Sequence, residues 1–187
     1  MEEFKVEGII PDVINENPQQ ILQVDWPHSG VRAELGNVVT PTNTKSQPNV
    51  HWDSDPNSFY TLIMTDPDAP TRGSPKFKEW HHWMVVNIPG NNISQGEEKV
   101  GYVGPAPPKD SGLHRYVLTV FKQPEKMTFK DVHTITSITG KHRNNFHTKQ
   151  FAKSHHLGPV VAANFIQAEW DEHSDVLHRV LASRTEF

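Results

Sequence analysis

Two acidic side chains and two prolines follow each other closely at the end of an apolar stretch. Residues 65–70 read Thr-Asp-Pro-Asp-Ala-Pro. Each proline fixes its backbone φ and lacks an N–H donor, so the segment is predicted to form a rigid turn that presents Asp66 and Asp68. Such turns at strand ends commonly carry functional groups. A proline turn whose aspartates only accept bonds from backbone amides is an equally favoured alternative.

A pair of adjacent histidines leads into the next apolar stretch. Residues 79–83 read Glu-Trp-His-His-Trp. Neighbouring side chains of a strand point to opposite faces, so at most one of His81 and His82 can face a given pocket. For the pair taken alone, the favoured interpretation is one core histidine and one surface histidine.

A loop of small residues and prolines precedes a third apolar stretch. Residues 101–116 read Gly-Tyr-Val-Gly-Pro-Ala-Pro-Pro-Lys-Asp-Ser-Gly-Leu-His-Arg-Tyr. Small residues let the backbone approach a ligand closely, and free N–H groups can bind oxyanions. His114 and Tyr116 are two residues apart at the start of a predicted strand, which places them on the same face. An ordinary surface loop is the alternative.

The composition excludes several classes of protein. The chain has no cysteine, which rules out disulfides and thiolate metal sites. With 18 basic and 22 acidic side chains and no basic run, nucleic acid is not an expected partner. No stretch approaches the roughly 20 apolar residues of a transmembrane segment. The acidic N-terminus does not resemble a signal peptide, so a cytoplasmic location is expected.

The apolar stretches predict a β-rich single domain over residues 1–187. Fifteen prolines separate short segments, which is typical of a fold with many turns. The central stretches are apolar on both faces, so the main sheet is predicted to be covered on both sides, by a second sheet or by helices. The predicted strands are Val31–Leu35, Ser58–Met64, Trp83–Ile88, Arg115–Phe121 and Val160–Trp170.

Two helices are predicted near the end of the chain. The first covers about 145–156, a segment without proline that is followed by Gly158-Pro159. The second begins near 171–174, where Asp171 and Ser174 are suitable capping residues. Its apolar residues recur at helical spacing and are predicted to pack in the core, namely Val176, Leu177, Val180 and Leu181.

Taken together and in order, the three motifs resemble the phosphatidylethanolamine-binding protein family, which includes the animal Raf kinase inhibitor proteins and the plant flowering regulators. The resemblance extends to residues 36–42 and 167–171 and so to nearly the whole chain. It implies a mostly β fold with a central antiparallel sheet packed on a smaller sheet, and with helices on the other side, including a C-terminal helix. It also implies cis peptide bonds at Ala69–Pro70 and Glu79–Trp80.

The resemblance further implies which residues form a ligand pocket. Ligand preference is expected to differ from that of relatives, because Pro105 and Ala106 replace glycine-rich and serine-rich sequence and His178 replaces a tyrosine of animal relatives. The implied pocket residues are Asp66, Asp68, Ala69, Pro70, Trp80, His82, Val103, Gly104, Pro108, His114, Tyr116 and His178.

The implied function is non-catalytic binding of phosphatidylethanolamine or another phosphorylated small ligand, coupled to inhibition of a protein kinase or serine protease. His82 and His114 are expected to donate N–H groups to the phosphate, so that binding tightens as the pH falls towards about 6. Asp66 or Asp68 would then meet an ethanolamine ammonium group.

No cofactor and no metal are expected, and the chain is expected to be a monomer. The alternative is a hydrolase that uses a metal or the Asp and His side chains in the same cleft. Against it, the sequence contains no His-Glu-x-x-His, no Gly-x-Ser-x-Gly and no Walker phosphate loop.

Overall fold

A computed structural model describes residues 1–183. Its strands are β1 (Gln20–Ile21), β2 (Gln23–Trp26), β3 (Val31–Arg32), β4 (Val38–Val39), β5 (Asn49–His51), β6 (Phe59–Asp66), β7 (Trp80–Pro89), β8 (Glu97–Val100), β9 (His114–Lys122) and β10 (Val160–Ala168). Its α-helices are α1 (Glu3–Val6), α2 (Ile9–Asp12), α3 (Thr148–Ser154) and α4 (Glu172–Ser183), and short 3-10 turns cover Thr42–Thr44 and Ile93–Gln95.

Two sheets of unequal size form the fold. The main sheet has the strand order β1-β10-β9-β6-β7-β8, and β4 also pairs with β10. The strands from β10 to β8 in that order are antiparallel, whereas β1 and β4 run parallel to β10, so the sheet is mixed. The smaller sheet has the antiparallel order β3-β2-β5. The predicted mostly β fold of a large and a small sheet is confirmed.

The main sheet is buried on both faces, as its doubly apolar strands predict. On β6, Leu62 and Met64 belong to the core that includes Trp26 of the small sheet. Ile63, which lies between them, belongs to the opposite core with Phe151 of α3. Alternation along one strand therefore supplies both cores, since successive strand side chains point to opposite faces.

The C-terminal helix begins where predicted, but only part of its predicted apolar stripe faces the core, because Leu177 is half-buried and the two valines are exposed. The N–H of His173 donates to Asp171 Oδ1 over 2.9 Å, which caps the first turn. Val176 and Val180 are 45% and 41% exposed, whereas Leu181 is buried. Helical spacing defines an apolar stripe but not the direction of the surface that receives it, and here the helix turns the Ser174 and Leu181 side inward.

Three other local predictions need correction. The strand expected over Val31–Leu35 ends at Arg32, and Leu35, with a φ of 53°, lies outside the extended conformation. The strand expected to reach Trp170 ends at Ala168. Ala69–Pro70 is cis as implied, but the non-proline cis bond is Lys78–Glu79 rather than Glu79–Trp80.

The chain around that cis bond is held by a neighbouring loop. The Glu79 N–H donates to the Phe146 carbonyl over 2.8 Å, and the Phe146 N–H donates back to the Glu79 carbonyl over 3.0 Å. Within residues 1–183, no helix is both long and apolar enough to span a membrane.

Candidate functional site

One cavity lies where three long strands begin or end. Asp66 at the end of β6 is paired with Trp80 at the start of β7, and Thr65 is paired with Val117 near the start of β9. Antiparallel neighbours place the end of one strand beside the start of the next, so segments distant in sequence meet at this edge. The cavity, called here the site cavity, has a volume of about 400 Å³.

The site cavity gathers most of the residues implied by the family resemblance. Those that line it are Asp66, Ala69, Pro70, Trp80, His82, Val103, Pro108, His114, Tyr116 and His178. The rest of the wall comes from residues that were not among the implied pocket residues, namely Phe77, Ala106, Gly140, Asn144, Leu181 and Ala182. Asp68 and Gly104 are not among the lining residues.

A chain of hydrogen bonds runs along one wall of the cavity. His114 Nδ1 lies 2.8 Å from Asp66 Oδ2, and His114 Nε2 lies 2.9 Å from Ser111 Oγ. The Ser111 hydroxyl donates to the Pro108 carbonyl over 2.7 Å. Since that hydroxyl has only one proton, Nε2 must donate to Ser111 and must itself be protonated. Both nitrogens of His114 are therefore engaged within the protein.

These hydrogen bonds determine the charge of the Asp66–His114 pair. One proton lies on Nε2 and one more lies between Nδ1 and Asp66, on either the ring or the carboxyl. Burial raises the pKa of Asp66, although His114 opposes this effect. With the second proton on either partner, the pair has no net charge, so Asp66 does not repel an anion in the cavity.

The same hydrogen-bonded residues resemble a Ser-His-Asp triad, but the serine hydroxyl donates elsewhere. In such a triad the serine hydroxyl donates to the histidine, which then takes its proton. Here the Ser111 hydroxyl donates to a carbonyl instead, and Ser111 is not among the residues that line the cavity. In the described part of the chain, no group of three or more His, Cys, Asp or Glu side chains could hold a metal ion.

Asp68 was predicted to bind ligand, but it forms a buried ion pair instead. Its Oδ2 accepts from the N–H and from Nε of Arg115, both over 2.9 Å, and its Oδ1 accepts from Arg115 Nη2 over 2.7 Å. Arg115 also bonds to Asp12, which pairs with Lys78. Because Arg115 alternates with His114 and Tyr116 along β9, its side chain lies on the face away from the cavity.

Gly104 packs against a backbone segment rather than lining the cavity. A Cβ atom added there would lie 2.6 Å from the Thr44 carbonyl oxygen. Glycine is therefore required for close packing on the short turn around Thr44, which explains its absence from the cavity wall.

His82 has a different protonation state from the one predicted. Its Nδ1 lies 2.6 Å from the Val103 carbonyl, so Nδ1 carries the proton and donates. Burial lowers the pKa of His82 to about 3, and the ring is neutral at physiological pH. Nε2 then lacks a proton and is an acceptor. His82 therefore cannot donate an N–H to a phosphate from that atom.

His81 and His82 lie on opposite faces, as strand alternation predicts. The His81 ring stacks on Phe146 with 3.9 Å between centroids, on the α3 side of the sheet. Both histidines are buried, at 3% and 4% exposure, so the surface position expected for one of them is wrong. The loop around Phe146 covers the face of the strand on which a surface histidine was expected.

Tyr116 and His178 complete the polar set. Burial and then the interactions with Asp66, which include a hydrogen bond, raise the pKa of Tyr116 well above its ordinary value, so its hydroxyl stays protonated. The Tyr116 ring meets His82 edge-on, with centroids 5.2 Å apart. On the rim, His178 Nε2 lies 2.8 Å from the Ala106 carbonyl and ties α4 to the loop.

Fold and cavity together define a class: a mostly β protein with a ligand-sized, mostly apolar pocket and a few convergent polar groups. Comparison with known proteins identifies the family. Residues 29–166 match the family model described as phosphatidylethanolamine-binding protein, and the chain belongs to that family.

Individual members of the comparison are similar to this chain in sequence and, where solved, in structure. A Drosophila melanogaster protein named as a candidate odorant-binding protein, A5, is 39% identical over 173 residues, which is 92% of this chain and 81% of that protein. The solution structure of CG7054 is 40% identical with a TM-score of 0.75, covering 92% of this chain and 97% of the other. Carboxypeptidase Y inhibitor, in the crystal with its cognate proteinase, is 28% identical with a TM-score of 0.77, covering 91% and 94%.

Proposed function

We propose that the site cavity binds a small phosphorylated ligand of the phosphoethanolamine type, as a head group or a free compound, without catalysing its reaction. The observation that carries the proposal is the 2.8 Å contact between Asp66 and His114 in a cavity of about 400 Å³, from which the neutral pair is inferred. An acidic residue there would otherwise repel phosphate, and its shared proton removes that repulsion.

Two polar groups of the cavity suit the two ends of such a ligand. The Tyr116 hydroxyl is protonated and bonded to Asp66, and on binding it would turn to donate to a phosphate oxygen. His82 Nε2, which makes no hydrogen bond within residues 1–183, is an acceptor for an ammonium or hydroxyl proton. This arrangement replaces the scheme in which both histidines donate to phosphate and an aspartate meets the ammonium.

A protein partner is the second part of the proposal. The likeness to carboxypeptidase Y inhibitor, which was solved with its cognate proteinase, favours inhibition of a serine protease by this chain. Kinase inhibition stays a prediction from the family resemblance. Either activity is tested by adding the protein to a panel of serine proteases and kinases, and inhibition of none at micromolar concentration would refute this part.

Ligand binding is tested by NMR titration with phosphorylethanolamine at pH 7. The change Tyr116→Phe removes one hydroxyl and keeps the ring, and should weaken binding about tenfold or more, since a hydrogen bond to a charged group contributes about 1.5–3 kcal/mol. Tyr60→Phe is the matched control, because its hydroxyl accepts from the Asp55 N–H away from the cavity.

Three results would contradict the proposal. The first is the absence of shifts at millimolar phosphorylethanolamine, and the second is equal weakening by the two tyrosine variants. The third is release of inorganic phosphate from phosphorylethanolamine, or hydrolysis of simple esters, that depends on His114. The last result would favour the hydrolase alternative.

A further inference from the structure

A fully buried arginine joins the segments that build the site cavity. Arg143 is 0% exposed. Its guanidinium donates to backbone carbonyls of three separate segments over 2.7–3.3 Å. The acceptors are the carbonyls of His81, His82, Gly101, Thr136 and Thr139. Each segment supplies or adjoins a residue of the cavity wall, namely His82, Val103 or Gly140.

Arg143 differs from Arg115 in having no carboxylate partner. Within residues 1–183, no Asp or Glu oxygen lies within 4.0 Å of its guanidinium. Burial lowers the pKa of Arg143 to about 10, and the more distant charge of Glu98 opposes this effect. The side chain is still a cation at neutral pH. Carbonyl dipoles satisfy its N–H groups but do not cancel its charge.

The buried charge lies directly behind the cavity wall. The guanidinium carbon is 5.2 Å from the centroid of the Trp80 ring, a geometry typical of a cation–π contact. Trp80 lines the cavity, and its ring lies 4.5 Å from the His82 ring. The next residue, Asn144, lines the cavity as well.

Most of the other ionisable groups close to the cavity are paired with an opposite charge or neutral. The Asp66–His114 pair is neutral, and Asp68 is neutralised by Arg115. His81 and His82 are uncharged rings. The remaining buried carboxyl, Glu79, accepts bonds from Thr65 and Thr148 on the α3 side of the sheet, and burial raises its pKa. The cation behind Trp80 therefore has no carboxylate in contact with it, and only the more distant charge of Glu98 partly offsets it.

We propose that Arg143 makes the site cavity selective for anions, through its charge behind the Trp80 ring. This inference rests on the proposed function and adds its physical basis: the cavity attracts a phosphate by a cation that the ligand never touches. Low local polarity makes a buried charge effective over such a distance.

The experiment compares Arg143→Gln, Arg143→Lys and Arg179→Gln in NMR titrations with methyl phosphate, an anion, and trimethyl phosphate, its neutral ester. Arg179 is exposed on α4 and controls for loss of one positive charge at the surface. Arg143→Gln should weaken methyl phosphate about tenfold or more, because the charge acts in a poorly polar environment. Arg143→Lys should keep most of the binding, and Arg179→Gln should change little.

Equal weakening by the Gln and Lys variants would show a role in shape rather than charge and would overturn the inference, as would methyl phosphate binding by Arg143→Gln at the wild-type level. If Arg143→Gln does not fold, the wild-type protein still decides. It should bind methyl phosphate at least about tenfold more tightly than trimethyl phosphate, and equal affinity would overturn the inference. Wild-type protein that binds neither compound would refute the proposed function and, with it, the role of Arg143.

Discussion

Replacing Asp66 by asparagine tests how many protons Asp66 and His114 hold between them. In Asp66→Asn, the side-chain oxygen can still accept from the Asp68 N–H, which lies 2.7 Å from Asp66 Oδ1. The new NH₂ group can donate to His114 Nδ1, where the contact is 2.8 Å. His114 keeps its proton on Nε2 and still donates to Ser111. No hydrogen bond is lost and the net charge of the pair stays at zero.

The expected magnitudes follow from that count. The free energy of unfolding should change by less than about 1 kcal/mol, because each buried donor and acceptor keeps a partner. Asp66→Leu removes both acceptors and leaves two buried groups unpaired, at a cost of about 1–3 kcal/mol each. Affinity of Asp66→Asn for phosphorylethanolamine should stay within about threefold of wild type, or roughly 0.6 kcal/mol.

Urea unfolding and calorimetric titration at pH 7 measure both quantities on the same samples. About tenfold tighter binding by Asp66→Asn would mean that the wild-type pair is anionic, since removing a charge beside a phosphate has that effect. A loss of about tenfold or more would mean that the carboxylate itself binds the ligand ammonium. Either result would refute the neutral pair.

Three further predictions concern stability. Because burial lowers the pKa of His82 from 6.5 to about 3, the unfolded state takes up the proton first, so stability falls as the pH drops below 6.5. His82→Gln should make that fall shallower by up to about 1.4 kcal/mol per pH unit in urea unfolding between pH 5 and 6.5, and the exposed-site control His28→Gln should not. Asp68→Ala strands the buried guanidinium of its partner and should cost about 3–5 kcal/mol; a loss below 1 kcal/mol would contradict the ion-pair assignment. Gly104→Ala places a methyl 2.6 Å from a backbone oxygen and should cost about 1–3 kcal/mol. Gly73→Ala, with nothing within 4 Å of the added carbon, should unfold at the wild-type urea concentration.

Much of the sheet was predictable because its strands contain the information locally. Phe59 to Met64 is apolar on both faces, and the structure buries both faces in separate cores. The short strands β1 and β4 were not predictable, since a pair of residues has no periodicity. The side of α4 that faces inward depends on the position of the loop that contains Ala106, and helical spacing does not reveal that position.

Some residues of the candidate site were also predictable from the sequence and others were not. His114 and Tyr116 share a face by alternation alone, and alternation also places Arg115 on the other side. The pairing of Arg115 with Asp68 depends on how the turn after β6 folds back over β9, so the motif alone did not separate Asp66 from Asp68. Arg143 had no sequence signal, because an arginine between His142 and Asn144 in a loop resembles a surface residue.

The position of β10 has a consequence for the order of assembly. This strand is the last of the sheet to be synthesised, yet it lies between β9 on one side and the amino-terminal strands β1 and β4 on the other. Residues 20–21 and 38–39 therefore have no edge to join until residues 160–168 leave the ribosome. Such late, long-range closure is slow compared with hairpin formation. The nascent chain must carry these two short strands unpaired through most of translation, a period in which chaperones would have access to them.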